Sequence, residues 1–227
     1  YEKNISSTLA TIHVVGAIKS DQVIKAFESL DKKWKIGERP LTEKVNTIHN
    51  IDQKLYFIDV PGAKQSVIFV GKLVLSASDA SFNKLSFANE ILGRGSSGRL
   101  FQTLRIEKGY TYGAYSFVGE SKEVSPFVAY SSVRANATSA SMEIIEDLIR
   151  NYSITFTDEE VGITQNKLIK SNAGSYESLS AKLSLLRNMS KYNKSLTYLE
   201  EDQNELMNMT LTNFRSVIDQ YLVEDEM

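Results

Sequence analysis

The side chains able to do chemistry are few. Among 227 residues there are two histidines, His13 and His49, and no cysteine. The missing cysteine removes thiol nucleophiles, disulfides and thiolate zinc sites. Hydrolysis by bound zinc needs about three protein ligands and a water, and neither HExxH nor HxxEH occurs in the chain. His13 lies in an apolar run and reads as a sheet or core residue. There is no GxSxG elbow for a serine nucleophile. On its own residues the chain is catalytically incomplete, and it carries no metal site.

Two stretches remain. Gly93-Arg94-Gly95-Ser96-Ser97-Gly98 is a literal GxGxxG. A dinucleotide site needs that motif directly after a strand, with the pyrophosphate at a helix N-terminus. Here a helix-period segment precedes it. The competing reading is a loop whose glycines allow close backbone approach to a neighbour or an extended peptide. The second stretch runs from Arg99 through Leu100, Phe101, Leu104 and Arg105 to Gly109, Tyr110 and Tyr112. Taken alone, Arg105 is a solvated cation favourable to a helix C-terminus, and Tyr112 is an ordinary sheet residue.

The elements that must position these residues follow from periodicity. TLATIHVV (8–15) is β-branched and apolar and reads as a buried strand closed by Gly16. Ser20 is a helix N-cap candidate, and Val23, Phe27, Leu30 and Trp34 share one face. Residues 35–50 lose periodicity around Gly37 and Pro40. KLYFIDV, a Pro61-Gly62 turn and QSVIFVGKLVL predict two strands. A helix is expected over 78–92 with Phe82, Leu85, Ala88 and Leu92 inward, then the glycine loop, then a short helix over 99–108 closed by Gly109. Strands YGAYSFVG and PFVAYSSVRA follow, joined by ESKEVS.

The last third is helical. One stripe is Met142, Ile145, Ile149 and Tyr152. Thr157 to Glu160 is a capping box opening a helix with Val161, Leu168 and Ile169 inward. Leu179, Leu183, Leu186 and Met189 mark another helix, and Leu211, Phe214, Ile218 and Tyr221 the last. Strands first and helices later predict an α+β fold, an antiparallel sheet with helices on one face. Organisation is expected as a strand–helix tail over 1–36, a linker over 37–50 and one domain over 51–227.

Bulk composition fits a globular chain, with 42% hydrophobic and 24% charged residues. A net charge of −2 gives no reason to expect nucleic acid as partner. No apolar run approaches the roughly 20 residues that span a bilayer. A cysteine-free chain fits either a bacterial envelope or a cytoplasm.

The order "loop of Gly and Ser, RLF, LR, then KG-Y-Y" resembles the second-domain signature of the inverted-zincin peptidases, which include pitrilysin, insulin-degrading enzyme and the mitochondrial processing peptidase. The similarity extends to TIHVVGAI with its helix, to DVPGAKQSVIFVG and to the order of helices up to residue 222. In this family two homologous halves close around an extended peptide. One half binds zinc through HxxEH and a distant Glu, and the other contributes an Arg and a Tyr across the cavity. The resemblance therefore implies that this chain is the non-zinc half of a zinc endopeptidase. Its partner would be an HxxEH-bearing half, on the same chain or another, and its ligand a peptide. By position Arg105 and Tyr112 would assist catalysis, with Gly95, Ser96, Ser97 and Arg99 against substrate. An inactive scaffold subunit of the same fold is the alternative. Family domains usually end in a strand like TIHVVG, so residues 8–16 are expected to fill that place on the sheet.

Overall fold

The computed structural model describes residues 7–34 and 55–222. The chain divides into two compact units, one of residues 50–169 and 197–227, the other of residues 1–49 and 170–196. The expected linker, 37–50, lies outside the described residues.

The larger unit is built on three antiparallel strands, β1 (Gln65–Ser76), β2 (Thr111–Val118) and β3 (Val124–Arg134), in the order β1-β3-β2. Strand side chains alternate faces. Phe127, Ala129, Ser131 and Val133 of β3 are all buried, as are Ala114 and Ser116 of β2 and Ile68 of β1. Against this face pack the helices α2 (Phe82–Gly93) and α4 (Thr138–Arg150), and α9 (Leu211–Leu222) packs on α2. From α2 come Leu85, Ala88 and Leu92, from α4 Ile145 and Ile149, and from α9 Phe214, Val217 and Ile218, all buried. Fully burying one such side chain contributes about 1.5–3 kcal/mol. The opposite face of the sheet is open: Val67, Phe69, Tyr115 and Phe117 are exposed, and Phe69 pairs with Tyr130 across the ladder at 5.1 Å between ring centroids. The architecture is the expected antiparallel sheet with helices on one face.

Between α2 and β2 lies α3 (Arg99–Phe101), which widens into a π-helical turn over Gln102–Glu107. After α4 come α5 (Tyr152–Thr155) and α6 (Asp158–Ala173). The capping box at the start of α6 is present in both directions: Thr157 N donates to Glu160 Oε2 at 2.9 Å, and Glu160 N to Thr157 Oγ1 at 3.3 Å. Tyr152, Phe156 and Phe214 pack as an aromatic group, edge-on at 5.5 Å and then stacked at 5.1 Å. The smaller unit holds α1 (Ser20–Lys33) and α7 (Leu179–Tyr192). Helix α7 is capped by Ser178 Oγ, which accepts from Ala181 N at 3.0 Å, and it ends at Asn193 in the left-handed region, φ 51°.

Three expectations are corrected. Residues 8–15 are not a strand: Ser7–Leu9 is a 3-10 turn, residues 10–15 are irregular, and Ile12 and Val14 are exposed. The three-stranded sheet therefore holds no strand from residues 8–16. Residues 55–60, the described part of KLYFIDV, are likewise irregular, with Leu55, Tyr56, Phe57 and Ile58 exposed. Apolar, β-branched composition favours a strand only where a neighbouring strand completes its hydrogen bonds. Conversely, helix α8 (Tyr198–Asn208) is absent from the sequence reading. Only Tyr198 and Leu206 of it are buried, too sparse a stripe to register as a period.

Candidate functional site

The short helix after the glycine loop carries both arginines of the motif, and each has a different environment. Arg99 is engaged inward. Its Nε and Nη2 meet the two Glu160 oxygens at 2.9 and 2.7 Å, Nη1 donates to Thr155 Oγ1 at 2.6 Å, and Nη2 donates to Thr155 O at 2.9 Å. Its guanidinium carbon lies 5.1 Å from the Tyr152 ring centroid. The Tyr152 hydroxyl in turn donates to Ala88 O. Burial pushes the Tyr152 phenol pKa up, and the Arg99 cation beside it offsets part of that rise.

Arg105 lies one and a half turns on, in the π-helical turn. That turn is closed by Lys108 N donating to Thr103 O at 3.0 Å and by Tyr110 N donating to Leu104 O at 2.9 Å. Gly109 follows with φ +62°, the left-handed closure expected of a glycine there. The chain then reverses into β2. Arg105 Nη1 donates to Thr111 O at 3.2 Å, and its guanidinium carbon sits 4.9 Å from the Tyr112 ring centroid. Tyr112 is 81% exposed. The two groups therefore stand side by side at the surface, joined by a cation–π contact. Exposed Tyr115 and Phe117 continue the aromatic surface along β2, with the Phe101 ring tilted against Tyr115 at 5.9 Å between centroids.

The GRGSSG loop follows helix α2 rather than a strand, which removes the dinucleotide geometry. Two of its glycines, Gly93 and Gly98, serve packing. A Cβ on Gly93 would lie 2.3 Å from the Ser116 backbone nitrogen, and one on Gly98 would lie 2.8 Å from Gly93 Cα. Gly95 has φ +77°. Gly95, Ser96 and Ser97 are exposed. Two long side chains hold the loop: Gln102 Nε2 donates to Ser96 O at 2.6 Å, and Lys167 Nζ donates to Arg94 O at 3.1 Å and to Ser97 Oγ at 3.4 Å.

Beneath the loop is a charge that the sequence reading overlooks. The Glu90 carboxylate is 2% exposed and lies 3.0 Å from both Arg94 Nε and Lys167 Nζ. Two cations neutralise it where an unpaired carboxylate would be costly. A glutamate inside an apolar helical stripe was the available signal. Thr111 is also overlooked, and nothing local marks it.

A model of the "Peptidase M16 inactive domain" family matches residues 1–168. This chain belongs to that family. An "uncharacterized zinc protease" of Streptomyces coelicolor is 23% identical over 171 residues, which cover 71% of this chain and 36% of that protein. The chain thus spans about a third of the curated relative it matches. The solved M16 inactive domain from Pseudomonas fluorescens superposes with a TM-score of 0.67 at 24% identity, covering 72% of this chain and 40% of that one. A protease from Helicobacter pylori superposes with 0.75 at 17% identity, covering 93% and 52%. These likenesses agree on the fold. Among the described residues no group of three or more His, Cys, Asp or Glu is placed to hold a metal ion, and the one histidine among them, His13, lies on the irregular segment. No helix among the described residues is long and apolar enough to cross a membrane.

Proposed function

We propose that this M16 inactive domain is the substrate-binding, non-zinc half of a zinc-dependent endopeptidase, and that Arg105 and Tyr112 are the two groups it offers to the reaction. The supporting observation is the exposed Tyr112 ring with the Arg105 guanidinium against it. In this reading an HxxEH-bearing half, on the same chain or another, brings the zinc and the water. Residues 1–36 close a preceding family domain, 37–50 link, and 51–227 form the domain that faces the catalytic half.

The roles follow from the chemistry of the two groups. Among its described contacts Arg105 makes one hydrogen bond, to Thr111 O, which leaves donors of its planar fork for a peptide carbonyl or carboxylate. The Tyr112 phenol can donate a hydrogen bond to the oxyanion as the carbonyl carbon becomes tetrahedral, and the adjacent cation favours negative charge there. The exposed backbone of Gly95, Ser96 and Ser97 lies against the peptide. Arg99, whose donors are committed to Glu160 and Thr155, holds the helix that carries Arg105 rather than substrate.

The test is Arg105→Ala in the complete two-half enzyme. A kcat lowered by at least about ten-fold is expected from loss of a positioning charge. Turnover equal to wild type would remove the assignment and favour the scaffold reading.

A further inference from the structure

We infer that Thr111 is a positioning residue whose hydroxyl holds a one-residue bulge in β2, and that this bulge is what turns Tyr112 out to the open face. The inference rests on the proposed role of Tyr112 and explains how the fold delivers it.

The register shows the bulge. Thr111 pairs with Val133 and Ala114 pairs with Ser131, so β2 advances three residues while β3 advances two. Val133 and Ser131 are buried on the helix-covered face, and so are Thr111 and Ala114. Counted back from Ala114 by strict alternation, Tyr112 would share its inward face and lie beneath the helices. A one-residue slip sends a side chain to the other face of a sheet. The extra residue does so here, and Tyr112 emerges on the side opposite the core.

A bulge takes backbone groups out of the ladder, and they must be satisfied elsewhere. The Thr111 hydroxyl supplies this at Gly113. Gly113 N donates to Thr111 Oγ1 at 3.0 Å, and the hydroxyl proton lies between Gly113 O at 2.8 Å and Ser132 O at 2.5 Å. Ser131 Oγ also donates to Gly113 O, at 3.0 Å. A Cβ at Gly113 would lie 2.6 Å from Tyr115 Cε2, so a side chain there would have to displace the Tyr115 ring. The Thr111 carbonyl accepts from Arg105 Nη1. One residue thus sets both functional groups, the phenol through its side chain and the guanidinium through its backbone.

The test compares Thr111→Val, which keeps the branched shape and removes the hydroxyl, with Thr111→Ser, which keeps the hydroxyl, each in the complete two-half enzyme and alongside Tyr112→Phe. Thr111→Val is expected to lower kcat about ten-fold or more with KM within about two-fold, and Thr111→Ser to stay within about two-fold of wild type. In a Tyr112→Phe background Thr111→Val should add less than about two-fold, since it acts through the phenol. Amide exchange at Gly113 should speed up about ten-fold in Thr111→Val and not in Thr111→Ser. A slow Tyr112→Phe enzyme beside a Thr111→Val enzyme of wild-type turnover would overturn the inference, as would a fully multiplicative double variant. If Tyr112→Phe turns over normally, the catalytic reading fails instead. The Gly113 exchange rate then decides by itself whether the hydroxyl holds the bulge, unchanged exchange overturning it.

Discussion

Arg99 and Arg105 stand six residues apart on one helical segment, and the protein uses them in opposite ways. Around Arg99 the described contacts tie up the whole fork within the fold: a two-point ion pair to Glu160, two bonds to Thr155 and the Tyr152 ring. The Arg99 and Glu160 side chains are only 20% and 18% exposed. Around Arg105 the contacts are one carbonyl and one exposed ring. A guanidinium with its donors committed fixes a scaffold. One with donors to spare beside an exposed phenol is arranged for something outside the chain. The difference comes from the backbone: Arg105 lies in the π-helical turn over Gln102–Glu107, and the bulge that follows in β2 brings Tyr112 beside it.

That contrast can be broken at several points. The largest loss of stability is expected from Arg99→Ala, which strands a mostly buried Glu160 carboxylate. About 2–3 kcal/mol should disappear from chemical denaturation, because removing one partner of a desolvated pair costs more than the pair contributes. Equal stability of wild type and variant would mean that the inward cluster is no scaffold. Gly93→Ala comes next, at about 1–3 kcal/mol, since its Cβ would collide with the Ser116 backbone nitrogen rather than with a movable side chain. A melting temperature at the wild-type value would show that α2 and β2 are less closely packed than described.

Tyr152→Phe is smaller, about 1 kcal/mol for the lost bond to Ala88 O. It also carries a pH signature. Burial raises the folded-state pKa of this phenol, so the folded state favours the neutral form. Its contribution is intact below the unfolded-state value of about 10 and is lost as pH climbs above it. Melting curves above that pH should fall more steeply for wild type than for Tyr152→Phe, and parallel curves would count against the buried phenol. The smallest stability change belongs to Arg105→Ala, within about 0.5 kcal/mol. A larger cost would make Arg105 a second scaffold arginine and erase the contrast.

Much of the scaffold could be read from the chain itself. The stripe Phe82, Leu85, Ala88, Leu92 and the Thr157–Glu160 capping box both stand where periodicity and cap chemistry put them. These are local rules, and local rules are legible. The failures are non-local. TLATIHVV and LYFIDV have strand composition, yet a strand also needs an edge to pair with, which composition does not encode. The proximity of Arg105 and Tyr112 followed from resemblance; their spacing alone allowed a sheet residue and a solvated helix end. The bulge was invisible because Thr111 and Tyr112 change faces only through the register of β3, a partner that comes later in the chain. The buried Glu90 depends similarly on Lys167, 77 positions away by sequence number (167 − 90).

The measurement that bears most directly on the account is steady-state turnover by the complete two-half enzyme carrying Tyr112→Phe, with its melting temperature recorded on the same preparation. Loss of one oxyanion donor should lower kcat by roughly 10²–10³ while the melting temperature stays at the wild-type value. Wild-type kcat in that variant would contradict the account.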